Sequence, residues 1–239
     1  MTKYLSIGLF FLAFFSYQLI SAQFVERFED GDFTVNPNWN GDENVFIVNA
    51  SEELQLSDLN VLQSESYLSV GASTGMEANW TFKTRLDFSP SGSNFSRIYL
   101  NANQQDLTQS LNGYFIQIGG ISGDQDAVEL VRQDGSTLTT LISGTPGAAA
   151  TSTVEVNVIV DRDANGLWEL QVDYTGDGNF DNEGTAVDAT YVQGSYFGIV
   201  CTYTSSRSEA FFLDDISISP IVQDLDCLLY TSPSPRDRG

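Results

Sequence analysis

Histidine does not occur anywhere in the 239 residues. Its absence removes the Ser-His-Asp and Cys-His routes to an activated nucleophile, and with them the ligand that zinc sites most often use. Cysteine is nearly missing, with only 2 residues, so no disulfide framework is expected. Positive charge is scarce: 10 Lys and Arg stand against 32 Asp and Glu, for a formal net charge of −22. Such a surface repels nucleic acid and anionic membranes and suits divalent cations, although most of these acids read as a solubility surface. No stretch sustains a 3.6-residue period with capping residues, so long helices are not expected. What the chain does have is 16 Phe, 10 Tyr and 3 Trp, with many β-branched residues, which excludes a disordered acidic tail.

The two ends read as something other than fold. Lys3 followed by the apolar run Leu5 to Ile20 and the small residues Ser21-Ala22 predicts a secretory signal, with the mature chain starting at Gln23 and no stable membrane insertion afterwards. The stretch Cys227 to Asp237 reads as a translated sequencing adapter, which removes Cys227 as a partner for Cys201. The expected organisation is a signal peptide at 1–22, one β domain at 23–222, the start of a linker to missing domains at 223–226, and an adapter-derived tail at 227–239. The expected location is secreted or on the outer cell surface.

Between the ends the dominant period is two. Trp80, Phe82, Thr84 and Leu86 alternate with Thr81, Lys83 and Arg85. Val154, Val156, Val158 and Val160 alternate with Glu155 and Asn157, and Trp168, Leu170, Val172 and Tyr174 with Glu169, Gln171 and Asp173. Each run predicts a strand with one buried face. Asn165-Gly166 and Asp134-Gly135 are hairpin turn signals. Roughly a dozen short strands joined by turns predict an all-β chain, an antiparallel β-sandwich of the jelly-roll type. The segment Thr175 to Gly184, acidic and Gly-rich, reads as a loop.

Two motifs bracket the domain. Phe28-Glu29-Asp30-Gly31 stands near the start with Trp39 soon after, and Phe212-Leu213-Asp214-Asp215-Ile216 stands near the end. If the first and last strands are neighbours, their acids face one cation. On an undistorted strand only one of Asp214 and Asp215 can point into such a site. This bracketing resembles that of secreted jelly-roll modules of the carbohydrate-binding, laminin-G-like and concanavalin-like kinds. The longer pattern, with Gly31-Asp32-Phe33-Thr34, Asn36-Pro37, Gly41-Asp42, Arg132-Gln133-Asp134-Gly135 and Tyr203 to Arg207, is similar to the N-terminal module of large surface proteins of gliding-type Gram-negative bacteria. The resemblance implies lamin-tail or sorting domains downstream and a structural calcium held by Glu29, Asp30, Asp214 and Asp215. Calcium takes six to eight hard oxygens, so carboxylates are the right donors.

A second, weaker metal candidate is Asp177, Asn179, Asp181 and Glu183, with oxygen donors at alternate positions as in the start of an EF-type loop and Asp188 at the twelfth place. Asn182 stands where that loop requires Gly, and no helices flank it. Trp39, Trp80, Trp168, Tyr99, Tyr114, Tyr174, Tyr196 and Tyr203 are candidates for a sugar-stacking platform, but Trp80 and Trp168 alternate with aliphatics and fit a core better. The paired carboxylates of glycoside hydrolysis find only Glu169 and Asp173 on one strand, with no further acid in phase. The expectation is therefore a non-enzymatic structural or adhesive module of a larger surface protein, with calcium. A carbohydrate-binding module is the alternative and a glycoside hydrolase-like domain a remote one. The partners expected are an extracellular polysaccharide or other surface proteins.

Overall fold

Alternation becomes two faces of a sheet wherever it was read. In the run Ala78–Leu86, Ala78, Trp80, Phe82, Thr84 and Leu86 are buried, while the residues between them are half-exposed. The computed structural model describes residues 24–61 and 64–219. The signal segment, the linker and the adapter-like tail lie outside the described residues. Fifteen strands follow in order: β1 (Phe24–Glu26), β2 (Asn40–Gly41), β3 (Phe46–Val48), β4 (Leu54–Leu56), β5 (Glu65–Thr74), β6 (Ala78–Leu86), β7 (Phe95–Ala102), β8 (Leu111–Ile118), β9 (Val128–Gly135), β10 (Thr137–Ile142), β11 (Val154–Arg162), β12 (Leu167–Asp173), β13 (Asp181–Val187), β14 (Gly194–Thr202) and β15 (Phe211–Ser219).

All pairings are antiparallel, and they build two sheets. Sheet A runs β13-β12-β11-β6-β15-β4-β3, with β1 also on β15; sheet B runs β10-β9-β8-β7-β14-β5-β2. The sandwich expected from the sequence is thus the fold found, and its first and last strands are neighbours, Phe24 opposite Ile218 and Glu26 opposite Ile216. The Asn165-Gly166 hairpin joins β11 to β12, with Gly166 at a φ of 78° and Asp163 accepting from the Asn165 and Leu167 amides. A positive φ is what Gly supplies without strain.

Two strands escaped the sequence reading. β2 has only two residues. β13 lies partly inside the segment read as a loop; it is an edge strand, acidic and mostly exposed, so it carries no apolar alternation to reveal it.

The main core lies between the sheets and includes Trp39, Trp80, Trp168, Phe82, Phe197 and the valines of β11. A second, smaller apolar layer lies on the other face of sheet B: Tyr99, Ala102, Leu107, Leu111, Phe115, Val131 and Val200, with half-buried Tyr67 and Tyr196 packed against it. Loop 103–110 folds over this face and seats Leu107 so close to Gly198 that a Cβ there would lie 2.7 Å from Leu107 Cδ1.

One end of the sandwich is closed by polar bonds. Trp80 and Trp168 stack at 5.6 Å with 13° between their planes. Arg162, 2% exposed, lies beside both rings, its Cζ 5.4 Å and 4.9 Å from their centroids. Its guanidinium donates to the carbonyls of Gly75, Met76, Tyr191 and Val192. Alongside, Asp188 accepts from the Tyr114 hydroxyl, from Arg132 and from the Thr190 amide, and its own carbonyl accepts from Trp168 Nε1 at 2.9 Å.

Candidate functional site

The bracketing acids come to the same strand pair but do not gather. β15 carries a bulge between Asp214 and Ser217, and Asp215 takes the extra place with a φ of 49°. The inward residues Leu213 and Ile216 are therefore three apart, and both acids are left outside the core. The expectation that the two point to opposite faces is corrected by this bulge. Asp214 lies opposite Lys83 on β6, and Asp215 is 3.9 Å from Arg27. Asp30 turns away and accepts from the Asp32 amide at 3.1 Å.

Among the described residues, no three Cys, Asp or Glu side chains come together to hold a metal ion. As they stand, Glu29, Asp30, Asp214 and Asp215 do not supply the oxygen shell that calcium takes. The second candidate also disperses. Asp177 accepts from the Asn179 amide, Glu183 accepts from the Thr145 amide, and Asp181 pairs with Val172 in the edge strand. Asp188 belongs to the buried network with Tyr114 and Arg132.

Asp214 still stands out electrostatically. Its Oδ1 is buried with no hydrogen-bond partner. Burial pushes the carboxyl up to about 6, and the Asp215 and Glu53 charges add to the rise against the pull of the Asp215 amide and Lys83. A raised acid pKa means the folded state holds the proton more tightly. Stability is then full below the ordinary carboxylate range and is lost as pH rises through about 6. Replacing Asp214 with Asn is expected to stabilise the domain above that pH by about 1 kcal/mol, discounted for solvent screening, and to change little in acid. Thermal melts on either side of the transition measure it.

Two surfaces remain once these acids are placed. The first is a polar groove of about 530 Å³ on the outer face of sheet A, lined by Lys83, Glu155, Asn157, Tyr174, Thr175 and Asp215, among others. Lys83 Nζ is 2.7 Å from a Glu155 oxygen, and that hydrogen bond raises the ammonium pKa despite partial burial. Asp173 accepts from the amides of Thr175, Gly176 and Gly178, which holds the loop at the end of the groove. These bonds bring the carboxyl down to about 2.

The second is the rim of the outer layer on sheet B. The Tyr67 carbonyl accepts from the Asp42 amide at 2.9 Å, and the Asp42 carboxylate accepts from the Tyr67 amide at 3.0 Å. Burial, then the charges of Asp106, Asp42 and Glu43, raise the Tyr67 phenol. The rim thus carries one half-exposed aromatic ring with the Asp42 carboxylate bonded to its backbone, and Tyr196 and Leu107 lie in the same apolar layer. Of the eight aromatics considered from sequence, Trp39, Trp80, Trp168, Tyr99, Tyr114 and Tyr203 are buried. Only Tyr174 and Tyr196 keep partial exposure. Tyr67 was missed; its signal was an alternation of Glu65, Tyr67 and Ser69 against Ser66, Leu68 and Val70, which marks it as the outward aromatic of β5.

No protein-family model matches the sequence, and no curated protein sequence does. Solved structures do match. The exoplasmic/lumenal domain of VIP36, in a Ca2+/Man3GlcNAc-bound form, superposes with a TM-score of 0.56 at 9% identity, over 80% of this chain and 88% of that one. The carbohydrate recognition domain of Emp47p gives 0.56 at 10%, over 85% and 97%. A legume lectin-like domain from Entamoeba histolytica gives 0.52 at 12%, over 78% and 91%. At such identities the likeness is one of fold, and it makes the chain an antiparallel two-sheet sandwich of the legume-lectin-like, concanavalin-like kind.

Proposed function

We propose that this domain is an exported, non-catalytic glycan-binding module that takes neutral sugars on the outer face of sheet B. The observation that carries this reading is the Tyr67 ring, half-buried on the outer apolar layer of sheet B, with the Asp42 carboxylate accepting from the Tyr67 backbone amide at 3.0 Å. An aromatic face packs on the C–H surface of a sugar, and carboxylates accept from its hydroxyls; the two together, on one side of a rigid sheet, are a chemical match to a polyol. Structures of similar fold include a mannose-bound form of VIP36 and a carbohydrate recognition domain, which is consistent with the reading. It takes the alternative raised from sequence above a purely structural role, and it still suits a module of a larger surface protein. No helix among the described residues is long and apolar enough to cross a membrane.

The reading does not rest on calcium: among the described residues no three acidic side chains are grouped to hold a metal ion. Binding is therefore expected to persist in chelator, and a calcium-dependent loss would correct that part. A glycan array that includes oligomannose, probed with the folded domain, tests the rest. Tyr67→Ala is expected to weaken the bound glycan about tenfold, the scale of one aromatic contact, while leaving the melt nearly unchanged. An array with no bound neutral glycan, or equal binding by the variant, would overturn the reading.

A further inference from the structure

The groove on sheet A lies on the opposite side of the sandwich from Tyr67, and nothing in the reading above uses it. Two of its lining residues, Lys83 on β6 and Asn157 on β11, are paired, in a row that runs on to Asp214 on β15 at one side and Asp173 on β12 at the other. Lys83 is committed to Glu155 at 2.7 Å. Asp215, which takes the extra place of the bulge, is in a loose ion pair with Arg27, at 3.9 Å with both side chains 59% exposed. The cavity therefore offers Glu155, held tightly by Lys83, and Asp215, held only loosely by the exposed Arg27. Asn157 and Thr175 add neutral hydrogen-bonding groups, and Tyr174 adds the one aromatic side chain.

We propose that this groove is a second ligand site, independent of the first, and that it takes a cationic amino sugar whose ammonium docks on Asp215. An anionic ligand would meet the excess of carboxylates and a protein of net charge −22, and is repelled. A neutral polyol satisfies Asn157 and Thr175 but leaves the charge unanswered. A sugar ring with a protonated amine does both: its ammonium makes a charge-assisted bond to Asp215, which is stronger than a neutral one, and its hydroxyls meet the amide and hydroxyls. The volume, about 530 Å³, holds more than one sugar ring.

The test uses calorimetric titration of the folded domain with a glucosamine trimer, the same trimer N-acetylated, and trilysine, at about pH 6.5 and physiological salt so that amines are protonated and loose surface attraction is screened. The glucosamine trimer is expected to bind, with the other two about tenfold weaker or worse. Asp215→Asn is expected to lower its affinity about tenfold, and Asn tolerates the positive φ at that position, so the fold is kept. Asp124→Asn, which removes an exposed charge elsewhere, and Tyr67→Ala are both expected to leave it unchanged. Equal binding of the N-acetylated trimer, equal effects of the two Asn variants, or no binding at all would overturn the proposal. Trilysine binding as tightly as the sugar would replace it with a site for basic peptide. Because the array and Tyr67→Ala report on the other face, each reading fails separately.

Discussion

Replacing Arg162 with Ala is expected to cost about 4 kcal/mol, one of the two largest losses from any single change to this domain. For a domain of this size that lowers the melting temperature by roughly 8–16 °C. The reason is that Arg162 is buried with no carboxylate partner among the described residues. Its charge is spread over the carbonyls of Gly75, Met76, Tyr191 and Val192 and lies beside the Trp80 and Trp168 rings. Those carbonyls come from two segments, one before β6 and one before β14, and Arg162 ties them together. Truncation leaves acceptors unpaired in a dry place and opens a space beside the stacked indoles. Burial depresses the guanidinium to about 10, which still keeps it charged at neutral pH. Lys at this position keeps a charge but not the planar fork, so Arg162→Lys is expected to recover less than half of the loss. Chemical denaturation of the three proteins measures the series. A loss under about 1 kcal/mol for the Ala variant would show that water replaces the guanidinium without penalty.

Asp188→Asn is expected to cost about 3 kcal/mol at neutral pH, and to do so with a pH signature. The carboxylate is 9% exposed and holds the Tyr114 hydroxyl, Arg132 and the Thr190 amide together. Burial alone would raise its pKa, but the hydrogen bonds from Tyr114, Thr190 and Arg132 outweigh it and bring the pKa below the ordinary carboxylate value. A depressed acid contributes stability that is present above the unfolded pKa of about 4 and is lost as pH falls through the lower folded value. Wild type should therefore lose this part of its stability in acid, while the Asn variant shows a flatter acid limb. Asn retains the size and one acceptor but leaves Arg132 without its charge partner here. Parallel acid limbs in the two proteins would show that Asp188 acts through shape alone.

How legible these features were depends on how local their causes are. The core strands were legible because alternation is a local signal: a residue two places on points the same way, so β6, β11 and β12 announce their buried faces directly. The hairpin at Asn165-Gly166 was legible for the same reason. β13 was not, because an edge strand owes its place to the ladder of β12 beside it rather than to apolar residues of its own. The burial of Trp80 and Trp168 followed from their aliphatic neighbours in phase. Nothing adjacent to Arg162 or Asp188 in sequence shows that the one would lie against indoles and the other bind a tyrosine 74 residues earlier.

The sequence by itself determined an all-β sandwich and a strongly acidic composition. These rest on period and composition, which each segment carries alone. Only the tertiary structure decided which acids are neighbours. One bulge in β15 gave Asp215 the extra place beside Asp214, and Lys83 stands opposite Asp214. Long-range pairing likewise put Tyr67 beside Asp42. A site is a relation between segments far apart in the chain, and the chemistry of each residue is silent about which partners the fold will bring.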